Sequence, residues 1–211
     1  MSKHRILRRV REALEKREPV EHPGAFGSWR AADTPAPGSD DAVGRFAHAF
    51  EAAGGSVVRV ADREEARERM EALAAGPGGI AVGAGVPEAV LPDRPRRPPE
   101  EAPLGISLGR GAVAETGSLL LDARDGRRVQ LLPPVHVVLV PAGTVHLTLG
   151  EALAALAPDL PSAVGLHSGP SKSADIGQVL VQGVHGPGRV VALVLEGEEG
   201  GADGAKGRPA G

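Results

Sequence analysis

An open α/β fold with a mostly parallel sheet is the class this sequence predicts, and three observations predict it. Residues 39–82 alternate helix, strand, helix, strand, the pattern that gives parallel strands with covered faces. The apolar runs that follow are short and separated by turn residues, as buried strands are. Beyond Phe50 the chain has no aromatic residue, so the rest of the core is built from Val, Leu, Ile and Ala.

Taken in order, Ile6, Leu7, Val10 and Leu14 recur at helical spacing among basic residues, which predicts a short amphipathic helix over 3–16. It suits a docking arm, or a membrane-surface element were its apolar stripe wider. Residues 17–38 are rich in Pro, Gly and charge and read as a linker. Ser39 or Asp40 caps a helix bearing Val43, Phe46 and Phe50, and Gly54-Gly55 stops it. Ser56–Val60 is a β-branched strand. Asp62 and Glu65 open a second helix with Ala66, Met70 and Leu73 on one face, and Gly79–Val82 forms the next strand.

Prolines at 92, 95, 98, 99 and 103 predict a surface excursion over 84–104. Strands are expected at 118–121, 135–140, 163–166 and 190–195. Thr148 and Glu151 box the start of a helix that ends before Pro158, and Ser171 or Ser173 caps another running toward Gly183. The organisation is an N-terminal basic helix and linker over 1–38, an α/β domain over 39–196 and a Gly-rich tail over 197–211 with nothing to bury.

Composition narrows the function classes. The chain has 211 residues, with 41% apolar and 24% charged, which fits one large domain. Its 30 glycines and 19 prolines are about twice average usage. A formal charge of −3 argues against a general polyanion binder, and the early confinement of aromatics argues against base-stacking platforms. With no cysteine there is neither a disulfide framework nor a thiolate site for zinc or iron–sulfur clusters. No segment has the length of a bilayer span or a signal peptide's apolar core, so a soluble, cytoplasmic protein without nucleic-acid partners is expected.

Two loops carry candidate chemistry. Ser168-Gly169-Pro170-Ser171-Lys172-Ser173-Ala174-Asp175 gathers hydroxyls, an ammonium and backbone N–H groups at a helix start, which suits a phosphate or carboxylate. A capped helix with a solvated Lys172 is the plain alternative. Ala114-Glu115-Thr116-Gly117-Ser118 offers Glu115 as base, nucleophile or hydrogen-bond acceptor, or as an exposed acid on a hairpin turn. Residues 109–114 fit GxGxxA but lead into a strand, which rejects a dinucleotide site. His136, His146, His167 and His185 have no paired spacing on a helix face, so no metal is expected. His136 reads as a hydrogen-bonded core histidine, and His185 as either a site residue or a turn filler. Ser171, His185 and Asp175 lack the nucleophile elbow of a triad.

Ala114–Gly117, Leu131-Leu132-Pro133-Pro134-Val135-His136, Ser168–Ile176 and Gly183-Val184-His185-Gly186-Pro187, in that order, resemble the LUD-domain family in its lactate-utilization protein C (LutC/YkgG-like) branch. The resemblance covers roughly residues 105–190. It implies a fold similar to the NagB/RpiA/CoA-transferase group and a role in oxidising L-lactate to pyruvate beside two partner proteins, at least one carrying iron–sulfur clusters. A chain without cysteine leaves those clusters to the partners and implies no cofactor of its own. Residues Glu115, Thr116, His136, Ser171, Lys172, Asp175 and His185 become candidates for a shared cleft. Gly177 departs from the pattern, in which an acid follows Ile176.

The expectation is an accessory or regulatory subunit that binds a small carboxylate, a phosphorylated ligand or a redox partner through Thr116, Gly117, Ser168, Gly169, Ser171, Lys172, Ser173 and Asp175. Glu115 and His185 are the candidate catalytic groups. The alternatives are a stand-alone CoA-ester or sugar-phosphate enzyme using Glu115 and an interaction module docking through residues 1–16.

Overall fold

The structure, a computed structural model, describes residues 3–15, 41–174 and 180–197. Two units divide the chain, Met1–Ala36 and Pro37–Gly211. In the first, α1 (Lys3–Glu15) forms where the apolar spacing places it, with an exposed Arg8–Glu12 pair one turn apart.

The second unit contains α2 (Ala42–Ala52), β1 (Ser56–Val60), α3 (Arg63–Leu73), β2 (Ile80–Val82), β3 (Leu104–Leu108), β4 (Gly111–Val113) and β5 (Ser118–Asp122). It continues with α4 (Arg127–Leu131), β6 (Val135–Pro141), β7 (Val145–His146), α5 (Leu149–Leu156), β8 (Val164–His167), β9 (Lys172–Ala174), β10 (Leu180–Gln182) and β11 (Arg189–Leu195). Five strands form a wholly parallel sheet in the order β1-β11-β6-β3-β2. Among the described residues, no helix is long and apolar enough to cross a membrane.

Parallel strands buried on both faces call for near-continuous apolar side chains, which β6 supplies everywhere but at His136 and β11 everywhere but at its exposed first residue, Arg189. Val137, Leu139, Val191 and Leu193 point to one face, where α3 lays Ala66 and Met70. Val138, Val140, Val190 and Ala192 point to the other, against Phe46 and Phe50 of α2 and Leu119 and Leu121 of β5. The two phenyl rings stack at 5.3 Å. On the far side of β4 and β5, α5 packs Ala152 and Leu156 against Val113 and Leu120.

Local capping follows the sequence closely. Asp62 accepts from the Glu65 amide, and the Glu65 carboxylate in turn takes the Ala61 amide. Thr148 and Glu151 make a reciprocal capping box. The cap of α2 is Asp41, one residue past the predicted pair.

One expectation is extended and two are corrected. The strands at 118–122 and 164–167 lie in a second sheet, ordered β7-β4-β5-β8, in which β5 runs antiparallel to both neighbours. The four residues between β4 and β5 are too few for a crossover and close a hairpin instead.

Residues 84–104 do not stay on the surface throughout. Val86, Val90 and Leu91 are buried in the α3-side core, and the proline segment joins the sheet edge only at an isolated Ile80–Arg96 bridge. Proline cannot donate to a ladder, so pairing stops there.

No helix starts at Ser171 or Ser173. Lys172–Ala174 is a strand paired antiparallel with Leu180–Gln182. Ser171 N–H donates to the Pro187 carbonyl, and Gly183 N–H donates to that of Ser171, so long-range backbone bonds outcompete the capping signal. Asp175, Ile176 and Gly177 lie outside the described residues.

Gly117 shows how tightly this hairpin is held. Its φ is +56°, and a Cβ there would lie 2.5 Å from the backbone of Ala49 and Phe50. Gly117→Ala is expected to cost at least about 2 kcal/mol, because backbone cannot move aside. Gly143, with nothing near its missing side chain, is the control, and Gly143→Ala is expected to stay within about 0.5 kcal/mol. Urea midpoints at unchanged m-value check both.

Candidate functional site

The four sequence motifs meet in space. Thr116 Oγ1 lies 2.7 Å from Ser118 Oγ, which lies 2.7 Å from Ser168 Oγ, so hydroxyls link the first motif to the third. The third motif joins the fourth through the Ser171 amide on the Pro187 carbonyl and the Gly183 amide on the Ser171 carbonyl. The residues directly after the fourth, Gly188 and Arg189, donate their amides to the Pro134 carbonyl of the second.

Much of their chemistry is spent on holding the fold. Glu115 is exposed on the β4–β5 turn, and its Oε1 accepts the Leu149 amide at 2.7 Å, satisfying a free N–H at the start of α5. Lys172 Nζ donates to the Ala53 carbonyl at the C-terminal end of α2, where a cation complements the helix dipole. Gly169, with φ +82°, lets the same loop approach the Ala53 carbonyl, which a Cβ would meet at 2.7 Å. Ser173 sits on β9 opposite Val181, and Asp175 lies outside the described residues. His185 is exposed on the turn between β10 and β11.

His136 is the buried histidine that the sequence predicts. It is fully buried on β6, and its Nε2 lies 2.9 Å from Ser107 Oγ on β3. Ser107 also hydrogen-bonds the buried Asp125 carboxylate, which accepts the Gly85 and Leu108 amides at 3.0 and 3.2 Å. Burial pushes Asp125 up from the ordinary carboxylate value, and its hydrogen bonds oppose this. No protein group pairs with Nδ1. Burial, then the neighbouring His167, lower the His136 pKa to about 3. Burial likewise lowers that of His167.

His167 opens onto a cavity of about 250 Å³ between α4 and β8, lined also by Leu121, Asp122, Arg127, Gln130 and Leu131. Asp122 is buried and paired with Arg124 at 2.9 Å. Gln130 Nε2 donates to the Asp122 carbonyl at 2.8 Å. The sequence reading passed over Ser107, Asp125, Arg127, Gln130 and His167 as site residues. Ser107 did carry a signal, as the one polar side chain in the run 104–108. Among the described residues, no three His, Asp or Glu side chains gather as a metal site would require.

Residues 95–195 match the LUD domain family model. The lactate utilization protein C 1 of Bacillus mycoides (strain KBAB4) is 38% identical over 103 residues, 45% of this chain and 44% of that protein. The lactate utilization protein C of Halalkalibacterium halodurans is 37% identical over 105 residues, 46% of each chain. The matched stretch thus spans less than half the length of these relatives. A crystal structure of a DUF162 family protein from Deinococcus radiodurans superposes with a TM-score of 0.57 at 22% identity, covering 73% of this chain and 96% of that one. It supports the fold.

Two outcomes follow. Glu115→Ala is expected to lower stability by about 0.5–1 kcal/mol through the α5 start, and Glu115→Gln by less because an amide oxygen can still accept; thermal melts check both. For His136, the folded chain resists a proton that the unfolded chain takes up near pH 6.5. Stability is therefore full above that pH and falls as pH drops toward 3, by roughly 1 kcal/mol per pH unit. Denaturant titrations at stepped pH should show this slope, and His136→Leu should flatten it.

Proposed function

Because residues 95–195 match the LUD domain family model, we propose that this chain takes part in the use of L-lactate, as an accessory or regulatory subunit of a cytoplasmic system that oxidises it to pyruvate. The observation that carries the reading is the convergence of the four motifs. They are tied by hydroxyl and backbone bonds within the stretch shared with proteins named for lactate utilization.

Oxidation of lactate to pyruvate removes two electrons and two protons. A chain without cysteine has no thiolates to ligate an iron–sulfur cluster, so partner proteins bearing such clusters accept the electrons. The commitment of Glu115 to α5 and of Lys172 to α2 supports an accessory role over a stand-alone CoA-ester or sugar-phosphate enzyme built on Glu115.

Affinity purification of the tagged full chain from lactate-grown cells is expected to bring down an iron–sulfur oxidoreductase, and deletion of the gene is expected to abolish growth on L-lactate while sparing growth on pyruvate. If no such protein co-purifies and the deletion strain grows on lactate at the normal rate, the reading is wrong.

A further inference from the structure

The cavity between α4 and β8 borders the second motif at Leu131 and the third at His167, beside Ser168, and its walls have a definite chemistry. At about 250 Å³ it is smaller than sites for drug-sized ligands. Its charges do not cancel. Asp122 is matched by Arg124, which also holds Asp159 at 2.8 Å, and Arg110 reaches both acids. Arg127 has no ion-pair partner among the described residues and is exposed at the rim. One unmatched guanidinium faces a small space, and its planar fork fits a carboxylate through two parallel hydrogen bonds. A phosphate dianion would bring a second charge near buried Asp122 with no second free cation to meet it.

The uncharged groups select further. His167 is half-buried, and burial lowers its pKa from the ordinary histidine value, so near neutral pH its imidazole is uncharged and offers one N–H and one lone pair. Gln130 spends an amide N–H on the Asp122 carbonyl, which leaves its amide oxygen as an acceptor. A hydroxyl both donates and accepts, and it can use Gln130 and His167 together. Leu121 and Leu131 leave room for a short carbon chain.

We propose that this cavity is a binding site for a small 2-hydroxy or 2-oxo carboxylate, with Arg127 holding the carboxylate and His167 and Gln130 reading the oxygen on the adjacent carbon. The assignment rests on the lactate reading above for its choice of acids, and it places the acid's polar contacts at Arg127, Gln130 and His167, which none of the four motifs contains.

The test is isothermal titration of the purified full chain with L-lactate, pyruvate, propionate and inorganic phosphate. Saturable binding of lactate or pyruvate is expected, with propionate weaker because it lacks the second oxygen. Arg127→Gln should weaken lactate about tenfold or more, the scale of a charge-assisted hydrogen bond. His167→Gln should weaken lactate while leaving propionate unchanged. Arg128→Gln, whose partner is Glu100, should bind as the native chain does, and both exposed arginine variants should melt with it. Absence of saturable binding by every acid, phosphate binding as tightly as the carboxylates, or native affinity in Arg127→Gln each overturns the site. Growth separates this from the function proposed above. A deletion strain that grows on lactate while the purified chain still binds it overturns that function and leaves the site standing; Arg127→Gln that neither binds lactate nor impairs growth overturns the site's place in lactate use.

Discussion

Seven parallel residue pairs between β6 and β11, Val135–Pro141 against Arg189–Leu195, are the constraint on which the rest of this domain depends. These strands have no face toward water, so every group near them must be apolar or internally bonded. Apolar residues meet the demand toward α3 and toward α2. At the one polar position of β6, His136 meets it through Nε2 alone, hydrogen-bonded to Ser107, while the Asp125 carboxylate closes the ends of the β2 and β3 segments by taking the Gly85 and Leu108 amides. The N-terminal mouth of the pair is sealed separately, by the Gly188 and Arg189 amides on the Pro134 carbonyl.

This organisation changes what the motifs mean. Residues that look like reagents in the sequence act as fasteners in the fold: Glu115 fixes the start of α5, Lys172 the end of α2, and Thr116, Ser118 and Ser168 join two loops through their hydroxyls. A fastener and a binding surface are compatible, since loops held this firmly present a fixed outer face to a partner. A guanidinium with no ion-pair partner among the described residues lies elsewhere, at Arg127 beside the α4–β8 cavity. Shape for a partner and chemistry for a small acid therefore occupy different places in one domain.

Legibility in the sequence followed the range of the interactions. The caps at Asp62 and Thr148 act across three residues, and both form where the residues predict them. The strands of the parallel sheet were readable because burial on both faces writes an unbroken apolar run. His136 was readable as a lone polar residue within such a run. The second sheet was not, since nothing local in 118–122 or 164–167 says which strand will lie beside it. The helix expected at Ser171 failed for the same reason, its capping residues being taken by Pro187 and Gly183.

By itself, then, the sequence determined the α/β class, the apolar strands, the helix starts and the absence of thiolate chemistry, all of which depend on residue type or on neighbours a few positions away. Only the tertiary structure decided that the hydroxyls of 116, 118 and 168 form one chain, that Glu115 and Lys172 are occupied, and that His167, Gln130 and Arg127 share a cavity. Each of these joins groups far apart in the chain. Their pairing depends on how two sheets stack, a relation that no single stretch of residues encodes.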